Sequence, residues 1–245
     1  FGVSVAAATA RARPGDASFF VSASRRDGYI RNIRLDEDVD AKETLSGRLQ
    51  LRFRPEPGWE FSLHALGQRS QDGAQALVPL SGPLFLVERG REGESNTNFG
   101  GIAGTVRRDL AAGRLTATTS WSRWELSPYA NRLVVFGGAD FDSSLSQTQR
   151  TFTEEIQYAG QHGSIGTIYS RSRTAGATDR TFSGFPIERS AFDVTAGLIA
   201  VFARGTMAAA GWRFHPGIRL EQTNKEFDRQ EAIPSVNSYR PTGRW

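Results

Sequence analysis

The sequence predicts an all-β fold, an antiparallel β-barrel segment of about ten strands, and three observations carry that prediction. Apolar and polar residues alternate with period two along many runs. Short turns bearing Gly or Pro alternate with long polar connections. Stretches with helical periodicity are essentially absent.

The stretch 47–69 shows the pattern most plainly. Leu49, Leu51 and Phe53 hold odd positions, and Arg48, Gln50, Arg52 and Arg54 hold the even ones. After the break at Pro55, Glu56, Pro57 and Gly58, Trp59, Phe61, Leu63 and Ala65 oppose Glu60, Ser62, His64 and Gln68. Two such runs joined by a tight turn are a hairpin signal. One face is apolar, and the other is too charged for a dry core.

The same reading places strands near 2–12, 17–26, 46–55, 59–69, 98–108, 114–125, 150–159, 164–174, 191–206 and 212–225. The segments 13–16, 55–58, 109–113, 160–163 and 208–211 are short and carry Gly or Pro, as tight turns require. Long polar segments fill 27–45, 70–97, 126–149 and 175–190, and another opens after 225. Every short turn therefore falls at one end of the sheet and every long connection at the other. Gly58, Gly113, Gly163 and Gly211 recur at spacings of 55, 50 and 48 residues, a quasi-repeat of two strands, one turn and one loop.

Composition removes several function classes. No window approaches the roughly 20 consecutive apolar residues of a membrane-spanning helix, and mean hydropathy is -0.41. Barrel strands of about 9 to 11 residues escape that test, because only every second residue need be apolar. With no cysteine there is neither a disulfide framework nor a thiolate metal site. Net charge is +4, but the arginines are spread through alternating runs without a basic block. A solvated polar surface accounts for them better than a nucleic-acid groove, so no nucleic-acid partner is expected. The chain opens at Phe1 with no Met or signal peptide, as a mature chain or an excised fragment would.

Loops longer than about 12 to 15 residues are uncommon in compact soluble domains. Outer-membrane barrels, in contrast, combine short periplasmic turns, long extracellular loops, an apolar outer face and a polar lumen. On that plan Leu49, Leu51, Phe53, Phe61 and Leu63 face lipid, and Arg48, Arg52, Arg54 and His64 face a wet interior. Trp212, Phe214, Ile218 and Leu220 oppose Arg213, His215, Arg219 and Glu221; Phe152, Ile156 and Tyr158 oppose Thr153, Glu155 and Gln157. Glu154 breaks the second pattern and is expected near the loop end of its strand, within reach of head groups. Trp59, Tyr158 and Trp212 lie beside short turns, where one aromatic girdle belongs, and Trp121 and Trp124 fall near the opposite rim. Ordinary strand packing explains any single tryptophan equally well.

The segments 22–32, 38–63, 149–160 and 211–228 resemble consecutive barrel segments of TonB-dependent outer-membrane receptors, in family order over most of the chain. The resemblance implies uptake of a scarce ligand, most often a ferric siderophore, across the outer membrane of a Gram-negative bacterium. In such receptors the barrel has about 22 strands and its lumen is plugged. An inner-membrane complex supplies the energy through a short periplasmic motif. Residues 1–245 then read as a single barrel region, a central fragment without its plug domain. Expected partners are outer-membrane lipid and lipopolysaccharide, a small ligand such as an iron chelate, and the TonB complex acting through the absent plug. Neither an enzyme nor a resident cofactor is implied.

The candidate ligand-binding residues are Arg25, Arg26, Tyr29, Arg31 and Arg34, a basic loop entrance bearing one aromatic ring. Arginine offers planar paired donors to the carboxylates of an anionic chelate. Attraction to lipopolysaccharide phosphates, or plain solubility, explains the same residues. Asp36, Glu37, Asp38 and Asp40 resemble the start of a calcium loop, but Ala41 and Gly47 stand where its Gly and Glu belong. A solvated loop is the better reading. His64, His162 and His215 are too scattered for a metal site, and pairing His64 or His215 with Glu60 or Glu221 for acid-base work is a minor alternative. Two other architectures stay open: a complete ten-stranded outer-membrane barrel acting as a pore, adhesin or hydrolase, and a soluble all-β binding module. Trp245 suits the terminal aromatic of a complete barrel, but Pro241 and Gly243 interrupt that stretch. In a fragment, strands near 2–12 and 212–225 should leave a gap or a strained contact between them.

Overall fold

The computed structural model describes the chain except for residues 1–2, 13, 74–82, 91, 135–138, 210, 234–242 and 245. In chain order the strands begin with β1 (Val3–Ala12), β2 (Gly15–Arg26), β3 (Ile30–Asn32), β4 (Glu37–Val39), β5 (Lys42–Phe53), β6 (Trp59–Gly73) and β7 (Leu86–Val87). The long ones follow: β8 (Glu94–Leu110), β9 (Gly113–Val134), β10 (Asp140–Gly160), β11 (Gly163–Phe182) and β12 (Phe185–Gly205). The chain continues through β13 (Met207–Ala209), β14 (Trp212–Phe214), β15 (Gly217–Ile233) and β16 (Gly243–Arg244). Eleven of these make one sheet in the order β1-β2-β5-β6-β8-β9-β10-β11-β12-β15-β16, antiparallel at every step.

Sequential antiparallel pairing is what short turns impose. Leu110 opposes Gly113 and Gly160 opposes Gly163, so each pair of strands is joined by two residues. A side chain at Gly113 would overlap the carbonyl oxygen of Ala159 on the neighbouring strand, which explains glycine there. Among the described residues β1 pairs only with β2 and β16 only with β15. Among the described residues no hydrogen-bonded ladder joins the first strand to the strand near 212–225.

The tenth predicted strand divides. Residues 212–214 pair with β13 in a small hairpin of their own, and the ladder resumes only at Gly217. Pro216, which has no amide hydrogen, falls between the two pieces, and its carbonyl accepts from the Gly205 amide at 2.8 Å. Pro241 and Trp245 lie outside the described residues.

The long connections are at one end, but much of their length is ladder. β9 has 22 residues and β10 has 21. At about 3.3 Å per residue such strands run roughly 70 Å, against the 9 to 11 residues that cross a bilayer. Segment 175–190 belongs almost wholly to β11 and β12, closed by a two-residue turn at Ser183 and Gly184. Both central residues have positive φ, 49° and 82°, the conformation that twists with the flanking strands. Segment 126–149 is likewise mostly strand; opposite Ser146 the register shifts past Ser127 and Pro128, so proline is absorbed without ending β9. These stretches were expected as loops because both faces of an extension into water are polar, which erases the alternation that marks a strand.

Two faces with opposite character result. Residues directly opposite in an antiparallel ladder share a face, and the rows through Phe61 and Val106, Ile102 and Trp121, and Trp121 and Phe152 place the apolar positions together. Those side chains are the exposed ones: Leu51 is 36% accessible, Ile156 43%, Ile199 52% and Leu220 69%. The polar face is the sheltered one, with Ser62 at 8%. The sheet thus shelters serines and presents leucines.

Candidate functional site

The predicted ligand-binding residues gather at the long-loop end, around a three-stranded sheet in the order β4-β3-β7. Ile30, Val39 and Val87 form its small apolar core. Asn32, fully buried, donates to the Arg89 carbonyl at 3.2 Å and accepts from the Arg89 amide at 3.1 Å. The Arg89 guanidinium, itself buried, donates to Asn131 on β9 at 2.9 Å and fastens this sheet to the wall. Burial lowers the Arg89 pKa from its ordinary value, opposed by Tyr129 nearby.

Most of the predicted arginines are engaged within the loop. Arg26 bonds the Asp40 carboxylate at 2.6 Å and its carbonyl at 2.7 Å, and it lies 4.6 Å over the Tyr29 ring. Tyr29 meets Phe85 edge-on at 5.9 Å. Arg31 pairs with Asp36 and, at 3.4 Å, with Asp38. Arg25 lies 3.7 Å from Asp27, both side chains largely exposed. The Arg34 amide donates to Asn32, and its guanidinium has no acidic partner among the described residues. The acidic run and the basic entrance, separate features in the sequence, are thus brought together as ion pairs that set the loop's shape. Arg89 and Asn131, the hinge of the arrangement, were missed, since nothing in their flanks marks them as buried.

Glu92 approaches the same cluster. Burial, and then the neighbouring Glu37 charge, raises its pKa above the usual carboxylate value, against a backbone hydrogen bond from Asp40. No group of three or more His, Asp or Glu residues is arranged to hold a metal ion among the described residues. His215 contacts the Thr206 hydroxyl at 3.2 Å.

The polar face carries two further networks. Near the short turns Glu60 accepts from Arg107 at 2.5 Å and Arg54 at 2.7 Å, with Arg52 at 3.9 Å. Near the opposite end Glu188 accepts from Arg180 at 2.7 Å and Ser190 at 3.1 Å, with Arg229 at 3.5 Å. Charged residues alternating in sign along a sheltered face suit a wet passage better than a dry core.

On the apolar face the aromatics are divided by parity. Trp59 stacks on Phe61 at 5.7 Å under Arg108, and Tyr158 opposes Leu115 and Ile165 near the short turns. Trp121 is on that face, but Trp124, three residues on, is on the polar face opposite Phe99. Trp124 therefore does not join the upper girdle. Glu154 is also displaced from its expected place: it lies six positions before Gly160 and fourteen after Asp140 on β10, so it lies within the apolar band. The Thr119 hydroxyl donates to it.

No family model and no curated protein matches the sequence. Among solved structures, the ferric yersiniabactin uptake receptor FyuA from Yersinia pestis superposes with a TM-score of 0.78 over 99% of this chain, at 12% identity. The chain has the fold of a segment of that protein's β-barrel. It spans 40% of the length of that receptor. No helix among the described residues is long and apolar enough to cross a membrane.

Proposed function

We propose that this chain is part of the barrel of a TonB-dependent receptor in a Gram-negative outer membrane, binding and taking up a scarce nutrient. Residues 1–245 form a single barrel region in this reading. The observation that carries it is the inverted burial of the wall, with leucine, isoleucine and phenylalanine exposed and serine and glutamate sheltered. That polarity is costly in water and favourable in lipid. Short turns face the periplasm, and the β3, β4 and β7 sheet faces outside. The ligand is a ferric siderophore or a similar anionic iron complex, met by Arg25, Arg26, Tyr29, Arg31 and Arg34. Arg25 and Arg34 are the most available of these, because the other arginines are held by Asp36, Asp38 and Asp40. The role is binding and transport without catalysis, in partnership with lipid, lipopolysaccharide and the TonB complex.

The protein in neutral detergent, titrated with anionic ferric chelates and followed by tryptophan fluorescence, tests this reading. Saturable quenching that weakens in Arg25→Gln with Arg34→Gln is expected. Binding of neutral sugars alone, with no response to any ferric chelate, would overturn the iron assignment. A monodisperse protease-resistant protein in plain buffer would overturn the membrane assignment.

A further inference from the structure

The apolar face does not end evenly. At the top of the band of Trp121, Phe152, Tyr169 and Ile199, Arg171 lies level with Phe152, and one row higher the register places Arg123 opposite Arg150, and Arg150 opposite Arg173. Four arginines thus share one side of three adjacent strands, all on the outward parity. Like charges directly opposite in a ladder destabilise it, so the row calls for a compensating anion.

Part of that compensation is internal. Arg123 bonds Glu125 at 2.7 Å and Arg173 bonds Asp193 at 2.6 Å, and Glu154 is taken by Thr119. Arg150 and Arg171 have no acidic partner among the described residues. Both border a hollow of about 290 Å³ whose other walls include Trp121, Phe152, Tyr169 and Arg173. A larger hollow of about 770 Å³ adjoins it across Tyr169 and Arg171, walled by Ile199, Gln222 and Asn224, with Lys225 and Glu226 also on its lining. Gly197 lies directly opposite Arg171, and an added side chain there would meet open space. Aromatic and aliphatic walls below, with two unpaired guanidinium groups above, match an amphiphile whose anionic head is joined to hydrocarbon chains.

We propose that the outer wall of β9–β12 holds one phospholipid of net negative charge, its phosphate between Arg150 and Arg171 and its acyl chains along Tyr169, Phe152 and Ile199. Guanidinium donates to phosphate oxygens in pairs, and partial removal from water strengthens those bonds. The band below is about four outward residues deep, so the arginines stand at the level where head groups meet hydrocarbon. The proposal rests on the membrane reading above, but it concerns the outside of the wall and not the passage or its ligand.

Native mass spectrometry of the protein extracted in neutral detergent tests it, with phosphatidylglycerol and phosphatidylcholine added at equal mole fraction. One retained phosphatidylglycerol in preference to phosphatidylcholine is expected. Arg150→Gln with Arg171→Gln should lower its retention at least about tenfold, since both charge-assisted contacts to the phosphate are lost. Arg150→Lys with Arg171→Lys should keep most of it, and Arg204→Gln, on the opposite face, should leave it unchanged. Heat-modifiable electrophoretic mobility checks that each variant is folded. Absence of lipid preference, equal loss in Arg204→Gln, or displacement of the lipid by inorganic phosphate alone would overturn the proposal while leaving the membrane reading intact. Solubility without detergent would remove both.

Discussion

Arg89 reaches Asn131 across 42 positions of sequence, its Nη1 donating to the Asn131 Oδ1 at 2.9 Å, and each residue is 5% exposed. This contact joins the small β3, β4 and β7 sheet to the long strand β9. A charge so enclosed needs its polar partners, because an unsatisfied buried donor costs about 1 to 3 kcal/mol, and more when charged. The loop that bears the predicted ligand-binding residues is therefore held in place by two residues outside that set.

Asn131→Ala should loosen the loop sheet without unfolding the wall. Amides of Ile30 and Asn32 should exchange hydrogen about ten- to a hundredfold faster, corresponding to the hydrogen-bond loss above. Amides of β9 near Ser120 should be unchanged. Equal acceleration at both places would mean that the contact supports the whole sheet.

The two faces differ in what they tolerate. Leu51 lies between Ala17 and Leu63 on the apolar face, and Arg52 lies between Asp16 and Ser62 on the polar one. Leu51→Arg should impair assembly by about 2 to 4 kcal/mol if it lies near the bilayer midplane. Arg52→Leu should assemble nearly normally, since Glu60 keeps Arg54 and Arg107. Folded fraction by heat-modifiable mobility measures both, and similar losses would show that the faces are misassigned.

Glu154 is the exception within the apolar band. A carboxylate facing lipid is unfavourable, by less than the roughly 2 to 4 kcal/mol of an arginine, and the Thr119 hydroxyl offsets part of that. Glu154→Gln keeps an acceptor for Thr119 and removes the charge. It should raise the denaturant midpoint in detergent; a lower midpoint would indicate that the charge has a stabilising partner in the intact barrel.

Glu92 gives the loop sheet a pH dependence of definite sign. Its pKa is raised in the folded state, chiefly by burial and then by Glu37, from an ordinary value of 4.5. A group whose folded value lies above its unfolded one contributes stability that is fully present below the unfolded value. That contribution is lost as pH rises through the folded value. Loop amides should thus exchange faster, relative to the intrinsic rate, as pH rises from below 4.5 toward neutrality, and Glu92→Gln should flatten the trend. An opposite slope in the native protein would contradict the assigned cause.

All-β class and strand pairing were legible wherever lipid-facing and polar positions alternate. The runs at 46–55 and 59–69 correspond to β5 and β6, and the pairing of Leu51 with Leu63 follows from the turn between them. Beyond the apolar band that signal fades. Residues 175–182 and 185–190 continue β11 and β12, yet their few large apolar residues, Phe182, Phe185 and Ile187, cluster at the turn and give no sustained alternation to reveal it. The basic entrance was legible as composition only. Its neutralisation by Asp36, Asp38 and Asp40 depends on the reversal of the chain between β3 and β4, which sequence spacing leaves open.

By itself, the sequence determined which residues belong to which face, because side-chain direction along a strand is a local property with period two. It also determined the antiparallel pairing across the short turns, because a two-residue turn leaves adjacent pairing as the only possibility. Tertiary structure alone decided how far each strand runs, which arginines meet an acid, and where Arg123, Arg150 and Arg173 align. Those depend on register between strands tens of residues apart, where each contact is fixed by the ladder's accumulated hydrogen bonds and not by the residues that make it.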